Sequence, residues 1–175
     1  MVKVSREQMD KDEKKILAEL QKNAQESIDM LAKRCGFSRQ KVWRIVKRLE
    51  KSRLIWGYSA IIDDKKNDMN HYTLLVKRST KKLDEKTIDI ITSRKLEDIV
   101  GNIGATIENS YYVNGEYDWV ITFTARNIVQ AKKFCESLLA LHPGVIEKTV
   151  LLETLFFVKN HYILNPESKK LREFL

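Results

Sequence analysis

The chain of 175 residues has little that would cross-link or interrupt its backbone: two cysteines, two prolines and six glycines. Cys35 and Cys135 lie far apart at apolar positions of predicted helices, which favours buried thiols over a disulfide. No apolar run approaches the roughly 18 residues of a membrane-spanning helix. The charged segment Met1–Lys15 lacks the apolar stretch of a signal peptide. We therefore expect a cytoplasmic protein without a membrane partner.

Catalytic signatures are also missing from the sequence. It has no phosphate-binding glycine loop, no Cys-x-x-Cys pair, no histidine-rich metal set and no Gly-x-Ser-x-Gly turn. The three histidines, His71, His142 and His161, are scattered, and each is interpreted as a surface or capping residue. We expect no catalytic residues, no metal site and no cofactor.

Positive charge is concentrated in the first third of the chain. Residues 1–60 hold fifteen Lys and Arg against eight Asp and Glu, whereas residues 61–175 hold seventeen against sixteen. Between Lys33 and Arg53 there are nine basic residues and one acid, Glu50. A solvated helix face usually mixes both signs. The one-sided charge favours neutralisation of phosphates, and so a nucleic-acid partner.

The same region has a helix-turn-helix pattern. An apolar face at i, i+3, i+4 and i+7 predicts a short first helix, formed by Ile28, Leu31, Ala32 and Cys35. Gly36 supplies the positive φ that ends this helix, and Ser38 is a suitable N-cap for the next one. That second helix is expected to bury Val42, Ile45, Val46 and Leu49. Its remaining residues point away from the core, a presentation that suits the major groove of double-stranded DNA.

Two sets of contacts to DNA follow from this placement. The exposed first half of the second helix is predicted to read base edges through Ser38, Arg39, Gln40, Trp43 and Arg44. The remaining cations are predicted to bind phosphates: Lys41, Lys47, Arg48, Lys51 and Arg53. Contact with phosphate or solvent alone is the competing interpretation for the base-reading set. Trp43 has two interpretations, an outward contact with a thymine methyl or sugar, or packing against the preceding helices.

The rest of the N-terminal domain, residues 1–62, consists of a first helix and a strand. The helix is predicted over Asp10–Lys22, with Ile16, Leu17 and Leu20 facing inward. The segment Leu54–Ile62 is rich in β-branched and aromatic residues, which predicts a wing or connecting strand. Residues 63–71 are polar and are interpreted as an interdomain linker.

The second domain, residues 72–160, is predicted as a ferredoxin-like βαββαβ fold, which makes the whole chain α+β. Its predicted elements are, in order, a strand over Tyr72–Lys77, a helix over Asp84–Val100, strands over Ala105–Val113 and Tyr117–Thr124, a helix over Ile128–Leu141 and a strand over Val145–Val158. The last helix is expected to be buried through Ile128, Ala131, Cys135 and Leu138. Because apolar side chains occur on both faces of the last strand, the uncovered face predicts a homodimer, with higher oligomers of dimers left open. The tail, residues 161–175, is given no firm structure.

Together these motifs resemble the Lrp/AsnC family, the feast/famine transcriptional regulators. The resemblance rests on Lys15–Gln21, on Leu31–Arg34 with Gly36–Ser38, on Arg44–Glu50, on Ile55–Ala60 and on Gly115–Asp118, and covers roughly Met9 to Lys159. The chain departs from the family pattern at Gln25 and Glu26, in the long charged segment Ser79–Lys86, and at Lys51–Arg53, which lacks the usual glycine.

The resemblance implies a sequence-specific DNA-binding regulator whose effector is an amino acid or another small metabolite, held between subunits near the Gly115–Asp118 hairpin. The effector residues it suggests are Asn114, Gly115, Tyr117 and Asp118. Gly115 as a turn residue and Asp118 as an exposed acid are the alternative interpretations. Two other functions remain open: a sirohaem-decarboxylase-like enzyme of the same architecture, in which His71 would matter, and a chromatin-like architectural protein.

Overall fold

The computed structural model describes residues 6–93 and 95–175, so the start of the predicted N-terminal domain, residues 1–5, and Arg94 within the predicted helix Asp84–Val100 lie outside the described residues. The chain divides into two compact units. The first comprises the residues up to Ile61 together with Val158–Leu171, and the second comprises Ile62–Phe157 with Arg172–Leu175. In the described part of the chain, no helix is both long and apolar enough to cross a membrane.

The described residues of the first unit up to Ile61 contain three helices: α1 (Arg6–Lys22), α2 (Ile28–Cys35) and α3 (Arg39–Lys51). The predicted caps at Gly36 and Ser38 are confirmed, and Ser27 is a further cap that was not predicted. The Ser27 hydroxyl accepts a hydrogen bond from the Met30 amide, Gly36 ends α2 at φ 65°, and the Ser38 hydroxyl accepts from the Lys41 amide. The core of the unit contains the four predicted α3 residues and residues of α1 and α2, namely Ile16, Leu31, Ala32, Cys35, Val42, Ile45, Val46 and Leu49.

The predicted strand over Leu54–Ile62 is wrong, because none of its residues has strand structure. The first two residues complete α3 instead: the amides of Leu54 and Ile55 both donate to the Leu49 carbonyl, at 3.1 and 3.2 Å. Arg53, just before them, adopts the left-handed conformation at φ 58°. A strand also needs a neighbouring strand to pair with, and the described part of the chain supplies none here.

The second unit has the predicted βαββαβ order, with one helix divided in two. Its elements are β1 (Asn70–Arg78), α4 (Glu85–Thr92), α5 (Lys95–Ile103), β2 (Thr106–Tyr112), β3 (Trp119–Ala125), α6 (Ile128–Leu141) and β4 (Ile146–Glu153). The antiparallel sheet has the order β2-β3-β1-β4. The stretch Asp84–Val100, predicted to be mostly helical, is helical but interrupted, because Ser93 is extended at φ −81° and ψ 160° and ends α4.

One face of this sheet packs on α5 and α6. Its core side chains come from alternate positions of β1 and β3, including Tyr72, Leu74, Ile121 and Phe123, each fully buried. Burying one such side chain stabilises the fold by about 1.5–3 kcal/mol. The helix α6 covers them through Ala131, Phe134 and Leu138 rather than through the predicted Ile128, which is 42% exposed.

Both cysteines are free thiols, as predicted. Cys35 is buried in the first unit, and Cys135 is half-buried against the core of the second. Desolvation by burial raises the pKa of Cys135 to about 11. This thiol therefore stays protonated near pH 7 and is a poor nucleophile.

Structure continues into the predicted linker and tail. A 3₁₀ turn over Lys65–Asn67 and the first residues of β1 occupy much of 63–71. The predicted strand Val145–Val158 ends early, at Glu153, because its partner β1 begins at Asn70 and the last pairing joins Tyr72 to Glu153. A short hairpin of β5 (Lys159–Asn160) and β6 (Ile163–Leu164) follows, and then a 3₁₀ segment, Ser168–Phe174.

Candidate nucleic-acid interface

The solvent side of α3 carries a line of four exposed polar residues. They recur at intervals of four, three and four, so they follow one another along a single helix face; we call this set, Gln40, Arg44, Lys47 and Lys51, the outer ridge. Within the described residues, neither Arg44 nor Lys51 forms an ion pair with a carboxylate of the chain. The ridge therefore presents cationic charge to solvent.

Lys47 is the member of the ridge with a carboxylate beside it. Its ammonium lies 2.8 Å from Glu50, and the Tyr58 hydroxyl donates to the same carboxylate at 3.2 Å. The hydrogen bond from Lys47 lowers the pKa of Glu50 below its ordinary value, and the bond from Tyr58 acts in the same direction. Both side chains of the ion pair are partly exposed, at 57% for Lys47 and 32% for Glu50, so the pair is weak.

The flank of α3 that faces α1 is held by ion pairs. The Lys41 ammonium lies 2.7 Å from a carboxylate oxygen of Asp12, and Arg48 lies 2.6 Å from Glu13. Lys41 also lies over the Phe37 ring, 4.1 Å from its centre. These two cations, both predicted to bind phosphate, are thus engaged with carboxylates of their own chain.

The opposite flank faces α2 and is more open. Arg39 is 74% exposed and its Nε lies 3.5 Å from Asp29. Trp43 is 53% exposed. Together with Gln40 and Ile28, the first residue of α2, these two residues line an open pocket of about 370 Å³. Trp43 therefore takes part in an open surface rather than in the helical core.

The remaining predicted DNA-contact residues lie at the two ends of α3. Ser38 is exposed, and its oxygen already accepts from the Lys41 amide at 3.3 Å. Its hydroxyl hydrogen can still be donated to an acceptor on DNA. Arg53 is exposed just beyond the helix, in the left-handed conformation noted above.

The four predicted effector residues lie at the β2–β3 hairpin of the second unit. Asn114 and Gly115 are exposed, whereas Tyr117 and Asp118 are half-buried. Gly115 is not among the glycines with positive φ, and a Cβ built on it meets no atom within 4 Å, so the turn does not require glycine there. Asp118 has a structural contact: its carboxylate accepts from the Arg78 amide at 2.8 Å, where the pairing of β1 with β4 shifts register.

Two buried polar atoms near Asp118 were not foreseen from the sequence. Among the described residues, Arg78 Nε and His142 Nε2 are the buried side-chain nitrogens and oxygens without a hydrogen-bond partner. The Trp119 ring, next to Asp118 in the chain, stacks on Tyr112 at 5.5 Å and meets His142 edge-on at 6.0 Å. Burial raises the pKa of Tyr112, while Arg78 opposes that shift, so these groups are electrostatically coupled.

The interpretation of each histidine as a surface or capping residue is confirmed for His142 and for the exposed His161, and is wrong for His71. His142 is 3% exposed; it does cap α6, with its ring Nδ1 3.0 Å from the Leu138 carbonyl. His71 is 8% exposed, between the Thr154 hydroxyl at 2.7 Å and Glu108 at 3.3 Å. Both are buried because distant segments fold over them, which the local sequence does not reveal. Across the described residues, no group of three or more His, Cys, Asp or Glu is arranged to hold a metal.

Comparison with known proteins agrees with this arrangement. A family model described as winged helix-turn-helix DNA-binding matches residues 9–55, which include α2 and α3. The leucine-responsive regulatory protein of Haemophilus influenzae is 28% identical over 137 residues, which cover 75% of each chain.

Solved structures of two regulators have the same fold. One is an AsnC family transcriptional regulator from Agrobacterium tumefaciens, with a TM-score of 0.64 and 18% identity, covering 94% of this chain and 98% of its own. The other is a transcriptional regulator from Neisseria meningitidis in complex with L-Met, with a TM-score of 0.65 and 16% identity, covering 99% and 100%. Residues 9–55 thus match a winged helix-turn-helix DNA-binding family, and the chain is similar in sequence to a leucine-responsive regulatory protein and in fold to AsnC-type regulators.

Proposed function

We propose that the chain is a DNA-binding transcriptional regulator of the Lrp/AsnC type, and that it recognises its operator by placing α3 in the major groove, with Gln40 and Arg44 of the outer ridge against the bases. Gln40 and Arg44 lie in the first half of the helix, where a bidentate contact to adenine or guanine discriminates by about 1–3 kcal/mol. The observation that carries the proposal is the free, exposed guanidinium of Arg44 on a helix whose flanking cations are already neutralised. Ser38, Arg39 and Trp43 complete the proposed base-reading set.

Phosphate binding is proposed for the cations that the fold leaves available. Lys47, Lys51 and Arg53 are exposed at the far end of α3 and just after it. For Lys41 and Arg48 we instead propose a structural role, because each already pairs with a carboxylate of α1. A phosphate would have to compete with Asp12 for Lys41 and with Glu13 for Arg48. Each phosphate contact adds about 0.9 to the slope of log affinity against log salt concentration.

The sheet face opposite the helices is the proposed dimer interface. The register brings one side chain from each strand into a single apolar row across that face: Tyr111, Val120, Leu75 and Val150. Leu152, on the same face, is 48% exposed. Burial of such a row against a second copy removes it from water and pairs two DNA-binding units for two half-sites. Higher assemblies of dimers are compatible with this interface.

An amino acid is the proposed effector, and residues 72–160 are proposed to bind it while residues up to 62 bind DNA. The Neisseria relative was solved with L-Met. Near the proposed hairpin site, Arg78 Nε offers a donor suited to a carboxylate and His142 Nε2 offers a second buried polar atom. The proposed role needs no catalytic step, and the proposed DNA partner supports a cytoplasmic location.

Operator selection followed by affinity measurement tests the proposal. Duplexes enriched from genomic fragments are titrated by fluorescence anisotropy beside scrambled duplexes of equal length and composition. A specific regulator prefers its operator by roughly 10³-fold or more at physiological salt. Equal affinity for both duplexes would instead identify an architectural protein.

A further inference from the structure

The open pocket between α2 and α3 combines an apolar lining with a cationic setting. Ile28 and Trp43 supply its apolar walls, and Arg39 and Gln40 supply its polar rim. Trp43 remains half-exposed even though an indole gains from burial, and Ile28 is only partly buried. The apolar faces of this exposed indole contribute nothing to the binding of a charged phosphate, so the pocket is better suited to an apolar group.

The charge around the pocket argues against a phosphate as its occupant. Asp29 lies beside the rim, with a carboxylate oxygen 3.5 Å from Arg39 Nε, and its side chain is 64% exposed. This carboxylate repels a phosphate and neutralises part of the Arg39 charge. A neutral apolar group therefore fits the pocket better than the DNA backbone does.

The major groove displays one such group, the 5-methyl of thymine. Gln40 both lines the pocket and stands on the outer ridge, so a base edge that reaches Gln40 brings its neighbouring groups to the pocket. We propose that the pocket formed by Ile28 and Trp43 receives the methyl group of a thymine, and that the operator therefore has a fixed thymine in each half-site. The inference rests on the proposed placement of α3 in the major groove.

Replacement of thymine by uracil tests this directly, because it removes only the methyl group. Each thymine of a selected operator is replaced singly by deoxyuridine, and the wild-type affinity is measured by anisotropy. At one position in each half-site we expect a roughly three- to tenfold loss, the size expected for one buried methyl group. Wild-type affinity unchanged at every position would overturn the inference, while the operator binding itself would still support the proposed function.

Two variants show whether the methyl group meets this pocket. Trp43→Ala should weaken binding to the thymine operator and bring the thymine-to-uracil affinity ratio close to one. Arg44→Ala, on the outer ridge, should weaken binding to both duplexes and keep the ratio of the wild type. A ratio that persists in Trp43→Ala, with helical content intact by circular dichroism, would place the methyl group elsewhere and overturn the inference. Failure of the wild type to discriminate the operator at all would overturn the proposed function instead.

Discussion

The ammonium of Lys41 lies 2.7 Å from the carboxylate of Asp12, whose side chain is only 6% exposed. The pair joins the first turn of α3 to α1, so at least one cation of α3 stabilises the fold, in addition to the DNA binding proposed for this helix. A charge removed from water without a partner is costly, whereas an exposed charge is not. The position of a cation around α3 therefore decides whether it pairs with a carboxylate of α1 or remains available to bind DNA.

Replacement of Lys41 by Ala should lower the free energy of unfolding by about 1–3 kcal/mol, because it leaves the buried Asp12 carboxylate without this partner. Lys47→Ala is the matched control, since it breaks the exposed pair with Glu50 and should cost about 0.5 kcal/mol or less. Urea denaturation followed by circular dichroism measures both. Equal losses in the two variants would contradict the structural role of Lys41.

Arg44→Ala should weaken operator binding by more than about tenfold, because a base-reading guanidinium is lost from the outer ridge. Arg48→Ala removes the same type of side chain from the α1 flank, where it pairs with Glu13, and should weaken operator binding less. Anisotropy titrations with operator and scrambled duplexes separate lost specificity from lost charge. Unchanged operator affinity of Arg44→Ala would refute the base-reading role.

Arg53 occupies a left-handed conformation at φ 58°, which favours glycine. Arg53→Gly should therefore be more stable than Arg53→Ala by about 1 kcal/mol, although both variants lose the same charge. Thermal unfolding gives the stability difference. If Arg53 binds phosphate, both variants should also lose the same amount of operator affinity, and a difference between them in binding would count against that role.

Leu152→Glu should shift the protein from dimer to monomer, because it places a charge on the sheet face proposed as the interface. Leu152 is 48% exposed, so the folded subunit tolerates the carboxylate. Leu155→Glu is the control: it introduces the same group at a leucine that is 60% exposed and lies beyond the end of β4. Sedimentation equilibrium distinguishes the two outcomes, and a dimeric Leu152→Glu variant would rule out this face.

Much of the fold could be predicted because local chemistry specifies it. The Ser38 cap, the Gly36 turn and the apolar spacing of α3 act within a few residues of sequence. Where the structure departs from the prediction, the conformation or burial of a segment depends on residues that are distant in the sequence. Leu54–Ile62 has the composition of a strand, but no strand of the described residues pairs with it. The helix α6 turns Phe134 rather than Ile128 toward the sheet.

In the candidate site, too, features set by the local sequence could be predicted, whereas features set by contacts between distant residues could not. The residues of the outer ridge were expected to face solvent, because helical periodicity alone places them opposite the core. The sequence did not predict that Lys41 and Arg48 face Asp12 and Glu13, since that depends on how α1 crosses α3. The burial of His142 likewise depends on its contact with Trp119, a residue 23 positions earlier in the chain.

The ion pairs between α3 and α1 have a consequence for protein engineering. A chimaera that receives only residues 39–51 from this chain would inherit Lys41 and Arg48 without Asp12 and Glu13. These two cations would then lack their α1 carboxylates. The stability of the chimaera should fall, and its non-specific binding of polyanions should increase. We therefore expect the proposed operator specificity to be transferred only when α1, α2 and α3 are transferred together.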